Sequence, residues 1–260
     1  MTLLVLVFGV LVMYMTALYV LSMVLKNNGV ADIGYGVACM LVVGTALYLA
    51  PPTTVWGIVL GTLPFLWGTR LALRIFRKNY GKPEDFRYKA WREAWGTTFW
   101  WRSYVQVYLL QGTVIFIVAL PVVTTVLYPS ATPQVWLATL GLIVWIVGFF
   151  FEVVGDAQLD RFIGNPENKG KIMMSGLWKY SRHPNYFGES TMWIGVALMS
   201  AGLSAYPLVG FLSPVLITYL LLFVSGVPLL ERRWEGNREW EEYKARTSVF
   251  VPLPPRRHGD

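Results

Sequence analysis

The stretch Leu3–Leu25 reads LLVLVFGVLVMYMTALYVLSMVL, 23 residues without a charge. As an α-helix it would reach about 35 Å, more than the roughly 30 Å hydrocarbon core of a bilayer. It lacks a basic start and exceeds the apolar core of a secretory signal, so it is expected to stay in the protein as a span. The pattern repeats outward from it. Apolar runs occupy 31–50, 54–76, 104–128, 134–155, 188–206 and 208–230, with a break at Pro207 between the last two. Of 260 residues, 55% are hydrophobic and 14% charged, whereas a soluble domain carries about 25% charged residues. The expected fold class is an all-α integral membrane protein of about seven transmembrane helices in a single domain, 1–260.

The connections set the expected orientation. Those near 51–53, 129–133 and 204–207 contain no Lys or Arg. The alternate ones hold Lys26, then Arg70 to Arg102, then Arg161 to Arg182, and the tail from Arg232 onward is basic again. By the positive-inside rule the N-terminus is outside and the C-terminus cytoplasmic, so every polar loop falls on one side. The net charge of +7 is then charge flanking the spans, not a nucleic-acid surface. Cys39 is the sole cysteine, which excludes an intrachain disulfide and argues against a cysteine metal site. The oligomeric state stays open and a monomer is compatible with it. Val251-Pro-Leu-Pro-Pro255 is expected to be extended, with His258 beyond it a tail residue.

Polar groups in or beside spans are functional candidates by default. Asp32 and Tyr35 share a helical face as a proton-donating or carbonyl-polarising pair, or else as a helix cap with an interfacial tyrosine. The loop Asn79-Tyr-Gly-Lys-Pro-Glu-Asp-Phe-Arg-Tyr88 offers amide, cation and carboxylate groups, for a site or for anionic lipid. Gln106 and Gln111 need partners inside the fourth span. Glu152 and Asp156, one turn apart where the fifth span ends, precede Gln158, Asp160 and Arg161. These carboxylates suit ribose hydroxyls or a carboxamide, or pair with basic residues of the tail. Asn165-Pro-Glu-Asn-Lys-Gly170 leads to Gly176-Leu-Trp-Lys-Tyr-Ser-Arg-His-Pro-Asn-Tyr-Phe-Gly-Glu189. There Lys169, Lys179 and Arg182 suit phosphates, Asn185 suits an amide or ribose, and His183 has no second histidine nearby to build a metal site. No HExxH, P-loop or GxGxxG is present, so no Rossmann domain is expected.

Arg182-His-Pro-Asn-Tyr-Phe-Gly-Glu189 resembles the C-terminal half of the steroid 5-alpha-reductase family, most closely its bacterial branch. Glu84-Asp-Phe-Arg-Tyr88, Glu152 with Asp156-Ala-Gln-Leu159, Asn168-Lys-Gly170, Ser225-Gly-Val-Pro-Leu-Leu-Glu231 and Tyr243 with Thr247-Ser-Val-Phe-Val-Pro252 are similar to other signatures of that branch. The resemblance implies an NADPH-dependent reductase of 4-en-3-one steroids, multi-pass in a bacterial inner membrane. NADPH would come from the cytoplasm and a steroid or other bulky enone from the lipid. Residues 1–103 would be the substrate side and 104–260 the cofactor side. Cofactor residues carry over onto Asn79, Lys82, Asp156, Arg182, His183, Asn185 and Tyr186, with Glu189 holding the loop. Glu152, Arg161, Asn168 and Lys169 complete the candidate set. Animal members place a Gln-Glu pair in an early span and a Tyr in the next. Here no Glu precedes Glu84 and no Gln precedes Gln106, so Asp32 and Tyr35 are the nearest substitutes. The Arg-His-Pro-x-Tyr stretch and a later Glu and Tyr are also similar to S-adenosylmethionine-dependent membrane methyltransferases. A non-catalytic sterol- or lipid-binding protein is the third alternative.

Overall fold

A computed structural model describes Thr2–Arg256; His258, read above as a tail residue, lies outside the described residues. The helices are α1 (Thr2–Leu25), α2 (Gly29–Leu49), α3 (Val55–Asn79), α4 (Phe86–Leu127), α5 (Val135–Gly164), α6 (Pro184–Leu203), α7 (Val209–Trp234) and α8 (Arg238–Arg246). Six of them, α1 to α5 and α7, are long and apolar enough to cross a membrane. This is an integral membrane protein. The run expected at 188–206 forms α6, which starts earlier, at Pro184, and ends at Leu203. Its Glu189, Ser190, Thr191 and Ser200 make it less apolar than the other six.

Local chemistry places the helix ends. The Thr54 hydroxyl accepts the Gly57 N–H to start α3, and Asp85 accepts the Arg87 N–H to start α4. The amphipathic opening of α4 ends at Gly96, whose φ of +48° lies in the left-handed region that glycine tolerates. Asn237 caps α8 through the Trp240 N–H.

Two compact units are present. The first comprises Met1–Ala138 and Ser200–Ser213, the second Thr139–Met199 and Pro214–Asp260. In the first, α2 is the central helix, burying Ala31, Ala38, Val42, Val43 and Ala46. Gly36 and Gly68 let α2 and α3 meet backbone to backbone; a Cβ on Gly36 would lie 2.5 Å from the Gly68 carbonyl oxygen. Leu11 and Met15 of α1 are buried, while Leu6, Met13 and Val20 point outward as lipid-facing surface. In the second unit, Gly141 and Gly148 of α5 meet Gly195 and Gly188 of α6, running antiparallel. Its C-terminal segment folds back: Ser181 and Ser248 form an isolated parallel bridge, and the Leu253 N–H donates to the Tyr180 carbonyl at 3.0 Å. Ile172, Trp240 and Tyr243 form a small core under that segment.

Candidate functional site

The second unit gathers most of the candidate cofactor residues around the start of α6. Glu152 and Asp156, one turn apart on α5, are 3% and 5% exposed. The Asn185 amide donates to Asp156 Oδ1 at 3.0 Å, and Gly155 approaches the Asn185 backbone closely enough to make this possible. The Trp178 indole N–H donates to the Gly155 carbonyl at 3.0 Å, and the Leu177 N–H donates to Gln158 Oε1 at 2.9 Å. The loop before α6 is therefore pinned to the end of α5.

Arg182 and His183 converge on Glu231. Arg182 Nε donates to Glu231 Oε1 at 2.9 Å, and His183 Nε2 lies 2.9 Å from the same oxygen. Arg182 Nη2 reaches Glu231 Oε2 at 3.4 Å, and Nη1 donates to the carbonyls of Lys244 at 3.0 Å and Thr247 at 3.4 Å. The guanidinium expected to grip a phosphate is thus turned toward Glu231 and the C-terminal segment. Tyr243, whose hydroxyl donates to the Trp178 carbonyl, closes the same segment over the loop, and burial raises its pKa.

Burial also lowers the His183 pKa below 6.5, with Glu231 opposing that shift only in part. A neutral imidazole facing an acceptor oxygen carries its proton on Nε2, which leaves Nδ1 bare. Nδ1 is buried without a partner, and so is Asn185 Oδ1. The ring stacks on Tyr186 at 5.4 Å and 8°. Because the unfolded chain binds the His183 proton at higher pH than the folded one, stability is complete above 6.5 and falls as pH drops below it. The thermal midpoint should decline from pH 7 toward 5, and His183→Gln should flatten that decline.

Asn168 and Lys169 lie apart from this cluster, on the rim of a cavity of about 490 Å³. Arg161 is exposed on the last turn of α5. Asn79 and Lys82 belong to the first unit, where the Lys82 N–H closes the turn onto the Asn79 carbonyl at 3.1 Å.

The first unit holds a second polar cluster. Tyr88 donates to Asp32 Oδ1 at 2.6 Å, and Arg87 Nη2 donates to Oδ2 at 3.2 Å. Gln111 Nε2 points at the Tyr88 hydroxyl at 3.5 Å, while its Oε1 is buried without a partner. The tyrosine hydrogen-bonded to Asp32 is therefore Tyr88, 56 residues away in sequence, and Tyr35 packs edge-on against Trp67 at 6.2 Å. Beside it, Glu84 accepts from Arg92 at 2.8 and 3.1 Å and from the Asn28 N–H at 2.8 Å. Burial would raise the Glu84 carboxyl, but these donors outweigh it and hold the pKa below 4.5. Loop 79–85 is thereby fixed to the start of α2.

Spacing within one helix could not reveal Tyr88 or Glu231 as partners. The available signals were the motifs they end, Glu84-Asp-Phe-Arg-Tyr88 and Ser225-Gly-Val-Pro-Leu-Leu-Glu231.

No solved structure matches the chain. Among curated proteins it is similar to a 3-oxo-5-alpha-steroid 4-dehydrogenase 1 of Bos taurus, 32% identical over 44% of this chain and 40% of that protein. The steroid 5-alpha-reductase DET2 of Arabidopsis thaliana is 33% identical over 45% of this chain and 42% of its own length. A probable O-methyltransferase, ustE, of Ustilaginoidea virens is 41% identical over 26% of this chain and 24% of its own. The chain spans less than half the length of each of these relatives. Residues 18–247, nearly the whole chain, match the family described as "Protein of unknown function (DUF1295)", and the chain belongs to that family.

Proposed function

We propose that this protein is a membrane reductase that adds a hydride and a proton across the C4–C5 double bond of a 3-oxo-4-ene steroid or similar bulky enone, with NADPH as its cofactor. The two bare acceptors His183 Nδ1 and Asn185 Oδ1 carry this assignment. They are buried at the start of α6 and call for an N–H or O–H donor, which a carboxamide or a ribose supplies. Glu152, Asp156 and Tyr186 belong to the same surroundings. Asn168, Lys169 and Arg161 are assigned to the anionic part of the cofactor. Arg182 acts as a positioning residue through Glu231. When bound, NADPH supplies the hydride; the protein's own part is orientation and charge stabilisation.

Hydride addition at C5 sends the π electrons toward the C3 oxygen, and a proton then reaches C4 from water. The oxygen that gains charge needs a donor. Tyr88 is assigned that role in place of Tyr35: its one O–H turns from Asp32 to the substrate oxygen, while Arg87 keeps Asp32 paired. Removing such a donor costs about 100-fold in turnover. Tyr88→Phe should therefore lose that much enone reduction and keep its NADPH affinity. An equal loss in cofactor binding would refute the assignment.

The accompanying topology is seven spans, α1 to α7, with α6 added to the six long apolar helices. The N-terminus is outside, and the C-terminus and cofactor loops face the cytoplasm of a bacterial inner membrane. The steroid comes from the lipid. A second reading, methyl transfer from S-adenosylmethionine, draws on the short likeness to the O-methyltransferase. Thermal stabilisation of the purified protein separates the two, since a ligand that binds only the folded state raises its midpoint. A rise with NADPH, followed by gain of two hydrogens on an enone, supports reduction. A rise with S-adenosylmethionine alone sinks it.

A further inference from the structure

The cavity at the end of α5 contains more charge than the proposed chemistry uses. Lys169, Lys171 and Arg233 line its 490 Å³ together with Phe162, Asn165 and Trp234. No carboxylate lies within ion-pairing distance of any of the three cations among the described residues. Like charges gathered around one space repel one another, and an anion in that space removes the repulsion.

The rim is ordered by its own hydrogen bonds. Asn165 Oδ1 accepts the Glu167 N–H at 3.1 Å, Asn168 Nδ2 donates to the Phe162 carbonyl at 2.9 Å, and the Lys171 N–H donates to the Asn168 carbonyl at 3.0 Å. Gly170, at φ +81°, makes the turn that lets both neighbouring lysines line the same cavity. The guanidinium of Arg233 lies over the Trp234 ring at 5.2 Å, so the two residues that line the cavity from α7 are in cation–π contact. Phe162 and Trp234 supply an apolar floor at the ends of two membrane-spanning helices.

We propose that this cavity is a phosphate-ester site, in which Lys169, Lys171 and Arg233 bind the phosphate and Phe162 and Trp234 cover the apolar body attached to it. Anionic lipid headgroups and soluble nucleotides both carry that chemistry. Only the soluble arm rests on the cofactor reading above. Adenosine 2′,5′-bisphosphate has phosphates but no nicotinamide, so its binding is independent of whether enones are reduced.

The test compares the wild type with a Lys171→Gln/Arg233→Gln double variant, both substitutions being at exposed positions. Adenosine 2′,5′-bisphosphate is titrated by calorimetry. Lipid retention is measured by native mass spectrometry after reconstitution in nanodiscs of phosphatidylglycerol or phosphatidylcholine. The site predicts that the wild type binds at least one anionic probe and that the variant loses roughly tenfold in affinity or retention for it. The loss is steeper at low salt, and the thermal midpoint without ligand is unchanged. A loss confined to the bisphosphate marks a nucleotide site, and one confined to phosphatidylglycerol marks a lipid site. Wild-type behaviour of the variant toward both probes, or binding of neither by the wild type, overturns the proposal.

Discussion

Glu231→Ala is expected to cost about 3–5 kcal/mol, the range for deleting one partner of a buried, hydrogen-bonded charge pair. Arg182 and Glu231 side chains are only 10% and 18% exposed, so solvent cannot take over the lost contacts. The substitution leaves the Arg182 cation facing a gap and deprives His183 Nε2 of its acceptor. The damage does not stop there. Arg182 also holds the Lys244 and Thr247 carbonyls, and its backbone N–H donates to the Ser248 carbonyl at 2.8 Å. A displaced Arg182 loosens the segment that covers the loop before α6, so early protease cleavage near 244–256 should accompany a lower thermal midpoint. Glu231→Gln, which keeps an acceptor but loses the charge, should fall between the two. The Arg182→Ala/Glu231→Ala double variant should be far less unstable than the sum of the singles, because neither charge is then left alone. Additive losses would mean that Arg182 and Glu231 do not act as a unit. Cofactor affinity should fall with Glu231→Ala as well, since the His183 tautomer that exposes Nδ1 depends on Glu231.

Three of the apolar runs, 3–25, 31–50 and 54–76, agree with their helices to within three residues, because a membrane span is written locally, as about 20 apolar residues in a row. By contrast, α4 begins at Phe86, well before 104, and α5 continues to Gly164, well past 155. The run at 188–206 was harder. Its helix begins at Pro184, inside the polar stretch that also carries His183 and Asn185, so the candidate site and the helix overlap. The grouping of His183, Asn185, Asp156 and Glu152 is visible as two separate motifs, and the Asn185 to Asp156 hydrogen bond joins them. What local spacing hid were the distant pairings. Asp32 shares a helical face with Tyr35, so the i,i+3 rule favoured that pair, yet the donor to Asp32 comes from Tyr88 on another helix. Arg182 beside lysines suggested a phosphate, until the fold brought Glu231 to it from 49 residues away. The glycines of α5 and α6 carry a local signal of their own. Positions 141, 148 and 155, and again 188, 195 and 202, repeat every seven residues.

Those glycines support the second large expectation. At Gly148 an added Cβ would collide with the Met192 N–H and lie 2.6 Å from the Gly188 carbonyl oxygen. At Gly188 it would collide with the Glu152 N–H and lie 2.6 Å from the Gly148 carbonyl oxygen. Both obstacles are backbone, which cannot swing aside as a side chain does, so the helices must separate. Gly148→Ala should therefore cost about 3 kcal/mol, the upper end for overpacking, and Gly148→Leu more. Separation also has a chemical consequence, because Glu152 and Asp156 follow Gly148 on α5, and Asn185 precedes Gly188 on α6. Moving the helices apart stretches the Asn185–Asp156 hydrogen bond, so stabilisation by cofactor should vanish along with stability. Gly9 in α1 has nothing within 4 Å of its would-be Cβ. There, alanine meets no obstacle and should be neutral or stabilising by up to about 1 kcal/mol through helix propensity. Comparing thermal midpoints of Gly9→Ala and Gly148→Ala isolates the close approach of α5 and α6 from any general intolerance of glycine replacement. Equal effects at the two positions would show that the approach contributes nothing.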